Sequence, residues 1–157
     1  MLSMITDRTQ ADVDRWRILR NKGWVGMTAG EKSEWAAGMK GAYNASDLNR
    51  VQDAVRTLGK ILTDYGYIVQ QKAETLNRIW EHEDIPTVAQ MQEYLENVRL
   101  ILSVLPVTAE IPDSMNKLTY SGANDIEKAL LAVEDAIHRM ELAFIPCGEA
   151  ICGGDNL

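Results

Sequence analysis

Cys147 and Cys152 stand in a Cys-x4-Cys pair, and they are the only 2 cysteines of the chain. A zinc site needs about four ligands, and no second pair supplies the other half. A nucleophilic cysteine needs a base and a positive local field, and the glycine-containing neighbourhood offers neither. Two free thiols are the default reading, since a disulfide belongs to an oxidising compartment. His82 and His138 are far apart in sequence, and neither has a Cys or carboxylate at a recognised metal spacing. Glu81, Glu83 and Asp84 flank His82 as a consecutive run, which does not converge on one ion. Glu134 and Asp135 are adjacent on a predicted helix and point to different sides of it, a solvated face rather than an acid/base pair. No phosphate-loop, dinucleotide, nucleophile-elbow or H-E-x-x-H pattern occurs. The expectation is a protein without catalytic, cofactor or metal residues. The side chains left for contact with a partner are Trp24 in a turn, Trp80 beside the acidic run, and Cys147, Ile151 and Cys152 in the last segment.

The elements that carry these residues read as helices. Thr9 and Asp12 have capping-box spacing, as do Thr28 and Glu31, so two short helices are expected early in the chain. The first carries Val13, Trp16 and Leu19 inward and stops at Gly23; the second has Trp35 and Met39 as its apolar edge. Ser46 is the expected cap of a longer helix with Leu48, Val51, Val55, Leu58, Leu62 and Tyr65 on one seam, and Gly66 stops it. Thr87 and Gln90 open the next, with Val88, Met91, Leu95, Val98, Leu102 and Leu105, ended by Pro106. The last begins near Tyr120 or Ser121 and carries Ile126, Leu130, Val133, Ile137, Met140 and Phe144 up to Pro146. Every seam alternates steps of three and four residues, the mark of one buried helical face. The fold class expected is all-α, with three long amphipathic helices in a bundle and two short N-terminal helices. Residues 67–85 are read as helical through Val69, Ala73, Leu76 and Trp80, although Tyr67-Ile68-Val69 equally suits an extended segment. Asn49, Asn97 and Asp125 lie near seam residues at unlike offsets, which the plain heptad-like pattern explains better than an internal repeat. Residues 1–146 form one domain and 147–157 a tail.

At 46% hydrophobic and 25% charged residues the chain suits a packed core rather than disorder. A net charge of −7 opposes binding to nucleic acid. No apolar run spans a bilayer, and residues 1–10 lack the order of a secretory signal. Membrane partners are not expected.

Four phrases carry a resemblance: "ITDRTQADVDRWRILRNKGW", "EWAAGMKGAYNASDLNRV", "EDIPTVAQMQEYLENV" and "LTYSGANDIEKALLAV". Together they resemble a family of small proteins encoded in prophage tail-gene regions of Gram-positive, often gut-dwelling, bacteria. The resemblance runs from Ile5 to Phe144 in the same order, and the Gly-Glu and Gly-Gly tail is similar as well. Residues 68–80 depart from it, reading "NRIW" where relatives end an extended stretch in Lys-Thr-Asp-Trp. The resemblance implies a non-catalytic structural or adaptor module of a phage tail or baseplate, with a tail protein or another copy of itself as partner. The alternative is a soluble regulator or assembly chaperone outside the virion. Either is made in the bacterial cytoplasm, with virion association expected only of the first. The family defines no catalytic residues to carry over. Tyr43, Asn44, Asn49, Arg50, Asn124, Asp125 and Glu127 surround two helix starts and are expected to cap helices or fix register.

Overall fold

The structure is a computed structural model and describes residues 1–143. Among them are six helices and no strand: α1 (Gln10–Gly26), α2 (Ala29–Ala36), α3 (Ala45–Asp64), α4 (Ala73–Leu76), α5 (Val88–Val104) and α6 (Tyr120–Ala143). The chain is therefore all-α. The helix starts follow from local chemistry. Thr9 and Asp12, Thr28 and Glu31, and Thr87 and Gln90 each form a reciprocal capping box. The third helix starts differently from expectation: Asn44, not Ser46, is its cap, and Asp47 closes the box from the third helical position. Asn44 Oδ1 accepts from the amides of Ser46 at 2.9 Å and Asp47 at 3.3 Å, which an asparagine one residue outside the helix does readily.

α3, α5 and α6 pack against one another in all three pairs. The core runs along Val51, Val55, Leu58 and Leu62 of α3, Leu95, Val98 and Ile101 of α5, and Ile126, Leu130 and Val133 of α6. The seam of α5 is wider and rotated from the expected one. Val88 is exposed, Met91 and Leu102 are half-buried, and Tyr94, Asn97 and Ile101 are buried instead. α5 touches α3, α4 and α6, so more than one of its faces is covered.

α1 and α2 form a hairpin that packs mainly on itself. Gly23 takes φ 66 and kinks the end of α1 where a stop was expected. Trp16 and Trp35 are half-buried rather than fully in the core. The hairpin is joined to the rest at Gly41, where a Cβ would stand 2.0 Å from the Asp12 carbonyl oxygen. Only glycine permits that approach of two backbones.

Residues 67–87 correct the helical expectation. Apart from the single turn of α4 the segment is not helical. Backbone groups of Lys72, Thr75 and Trp80 are met by side chains of α3 and α5. Asn97 accepts from Lys72 N at 2.7 Å and donates to Lys72 O at 3.0 Å. Asn49 does the same for Trp80, at 2.8 and 2.9 Å. Glu93 accepts from Thr75 N at 2.8 Å, and Gln52 donates to Thr75 O. An extended strand of chain laid on helices must find such partners or leave buried polar groups unmet. No helix of the described residues is long and apolar enough to cross a membrane.

Candidate functional site

Residues 1–9 form a second extended strap, lying along α6 in the opposite direction. The amides of Leu2, Ile5 and Arg8 donate in turn to Glu134 at 2.7 Å, Glu127 at 2.6 Å and Asn124 at 3.0 Å. Asn124 also donates to Arg8 O at 2.9 Å. So Asn49 of α3, Asn97 of α5 and Asn124 of α6 each hold both backbone groups of one residue in a non-helical strap. An amide side chain has the donor and acceptor spacing of a peptide group, which makes this a local copy of a strand pair.

The strap delivers Arg8 into a buried cluster of four charged side chains. Arg8 NH2 lies 2.9 Å from Asp47 Oδ1 and 2.7 Å from Glu127 Oε1, with all three side chains buried. Arg50, from the first turns of α3, meets the same carboxylates, at 2.7 Å to Glu127 Oε1 and in a closer contact with Asp47. Asp47 Oδ2 accepts from Asn44 N at 2.9 Å, and Glu127 Oε2 from Ile5 N at 2.6 Å and Arg50 Nε at 3.1 Å. Every oxygen of both carboxylates is thus engaged, and two cations balance two anions. Burial of such a set is tolerable only with this degree of pairing. Burial would lower the Arg50 guanidinium, but its hydrogen bonds to Glu127 and Asp47 outweigh that and hold it well above its ordinary range. Beside the cluster Tyr43 and Tyr94 share a hydrogen bond of 2.7 Å. Burial raises both phenols well above the ordinary tyrosine value, so both are neutral, and one hydroxyl donates to the other. What this geometry does chemically is fix: it ties the N-terminal strap, the start of α3 and the start of α6 to one point. Arg8 Nε is buried without a hydrogen-bond partner.

The residues singled out from the sequence fall in different places. Trp24 is 55% exposed at the tip of the α1–α2 hairpin, next to Val25 at 95%. Trp80 is corrected: it is 2% exposed and part of the core, because Asn49 holds its backbone and its ring packs inward. Cys147, Ile151 and Cys152 lie outside the described residues, as does the proposed boundary at 146. His82 and His138 are exposed. Among the described residues no group of three or more His, Cys, Asp or Glu is placed to hold a metal. Of the polar residues around the two helix starts, Asn44 caps α3, Asn49 and Asn124 hold the backbones of Trp80 and Arg8, and Arg50 and Glu127 belong to the ion cluster. Arg8, Asp47 and Tyr94 were missed. Asp47 had a signal, its capping-box distance from Asn44; Arg8 had none, since its partners are 39 and 119 residues away.

No protein-family model, curated protein or solved structure matches the chain.

Proposed function

We propose that the chain is a non-catalytic structural or adaptor module of a phage or prophage tail or baseplate, acting through protein–protein contacts. In this reading α3, α5 and α6 form the bundle, and α1 and α2 present the contact surface. The observation that carries the reading is the tip of that hairpin. Trp24 and Val25 are exposed there together, on an element that owes little of its packing to the bundle. A tryptophan and a valine left in water cost free energy that a partner's surface recovers, and tryptophan is the side chain that most often anchors an interface. The buried ion cluster supports the same reading, since all its acceptor oxygens are taken up in holding the fold. The link to a tail rests on the sequence resemblance.

The test is a double variant, Trp24→Glu with Val25→Glu, alongside the wild type in a strain that makes the particles. Mass spectrometry should find the wild-type chain in purified particles and the variant absent, with equal melting temperatures for the two proteins. A wild-type chain abundant in the cell and absent from particles would favour an assembly chaperone instead.

A further inference from the structure

α1, the turn at residues 40–43 and the start of α6 enclose a cleft of about 560 Å³. Its lining includes Arg8, Arg17, Lys40 and Lys117 and no carboxylate, in a chain whose net charge is −7. We propose that this cleft takes an acidic peptide segment of a partner protein. The inference rests on the adaptor reading above and names the chemistry of one partner.

The four cations differ in what they have left to offer. Arg8 is committed to Asp47 and Glu127. Lys40 is bound only to Asp7, at 2.6 Å with both side chains exposed, and Arg17 only to Asp14, at 3.4 Å and also exposed. Exposed pairs of this kind are weak and exchange readily for another carboxylate. Lys117 makes no ion pair among the described residues, and it lines the cleft at φ 57, a backbone conformation uncommon for lysine. Three cations around one concavity raise the local potential far above that of the surrounding acidic surface, and low-dielectric walls focus it. Trp16 and Tyr120 supply such walls. The cleft is also built rather than incidental. The contact of Gly41 with the Asp12 backbone sets the distance between two of its sides, and the hydrogen bond of Thr119 Oγ1 with Gly122 N, at 3.0 Å, fixes the third. Charge chooses an acidic occupant. Apolar walls between the cations choose one that alternates carboxylates with apolar side chains, as a peptide segment does.

The experiment uses the full chain and a fluorescein-labelled eight-residue peptide of alternating Glu and Leu, followed by anisotropy at two salt concentrations. A Lys–Leu peptide of equal length is the control. The Glu–Leu peptide should bind, more weakly at high salt, and the Lys–Leu peptide should not. Lys40→Glu with Lys117→Glu should raise Kd by about tenfold or more. Lys60→Glu with Arg139→Glu, the same change of net charge far from the cleft, should leave Kd within about twofold. The milder Lys40→Gln with Lys117→Gln should give a smaller rise at an unchanged melting temperature. Absence of binding, or equal loss in the cleft and control variants, overturns the proposal. So does binding of free benzoate at the cleft, seen as shifts of the Lys117 and Tyr120 amides, without binding of the peptide. Trp24 and Val25 do not line the cleft, so their double variant decides the adaptor reading separately. A chain that needs them for particle association and yet ignores the acidic peptide would keep that reading and lose this one.

Discussion

Glu127 is wholly buried and accepts from Arg8, Arg50 and the Ile5 amide. Glu127→Ala would leave two guanidinium groups facing Asp47 alone, and breaking a buried pair by removing one partner costs about 3–5 kcal/mol. Urea unfolding should register that loss; a change under about 1 kcal/mol would mean that water reaches the cluster and screens it. A half-buried carboxylate makes a different prediction. Glu31 is held at about 2, below its ordinary value of 4.5, first by its hydrogen bond from Lys22 and then by the Thr28 amide. Its folded value is the lower one, so the stability it lends α2 is complete above 4.5 and is lost as pH falls through about 2. An NMR titration of the Glu31 side-chain carboxyl should show its midpoint near 2, and a midpoint near 4.5 would show the Lys22 contact absent in solution. At this scale the sequence was readable only where the partner is near. Glu31 stands three residues from Thr28 and announces its cap, whereas nothing beside Arg8 points to residues 47 and 127.

Among elements, α3 and α6 were legible because each buries one face. Leu48, Val51, Val55, Leu58 and Leu62 are all buried, as are Ile126, Leu130, Val133 and Ile137. α5 was legible as a helix but not in its exact facing, because Tyr94 and Ile101 answer to a second neighbour that periodicity along one seam does not show. The strap at residues 67–87 was not legible as a strap. Its local apolar spacing suits a helix, while the groups that hold Lys72 and Trp80 outside a helix belong to Asn97 and Asn49 on other elements. Tertiary partners overrode a weak local preference. Asn97→Ala tests this account. The Lys72 amide and carbonyl would lose both partners, at a cost of about 1–2 kcal/mol. Hydrogen exchange at Lys72 should accelerate while the amides of Val98 and Leu130 keep their protection relative to global unfolding. Unchanged exchange at Lys72 would mean that α4 and its neighbours hold the strap without the asparagine.

Charge is unevenly shared over the whole molecule. The α1–α2 hairpin, residues 10–37, has five cations against four carboxylates, which leaves −8 for the rest of a chain whose total is −7. No duplex DNA binding is expected near physiological salt, since backbone binders need a concentrated basic face; a mobility shift that fades steeply with salt would contradict this. The same molecule is closed at one end by an electrostatic lock rather than by apolar packing. Leu2 and Met4 are only half-buried, yet the strap carrying them supplies Arg8, three amides to α6 and the carbonyl that Asn124 needs. Removing residues 1–8 should therefore destabilise the fold by more than the area of its half-buried apolar side chains, Leu2, Met4 and Ile5, warrants, because Asp47, Asn124 and Glu127 all lose partners at once. Arg8→Met within the full chain should account for most of the truncation's effect, since it keeps the bulk of the strap and removes the charge together with the hydrogen bonds to Asp47, Glu127 and the Ile5 carbonyl. The two proteins compared by thermal melting decide the matter. A truncation that lowers the melting temperature while Arg8→Met leaves it unchanged would locate the strap's contribution in its backbone contacts and apolar side chains, and the ion cluster would then be a consequence of docking rather than its cause.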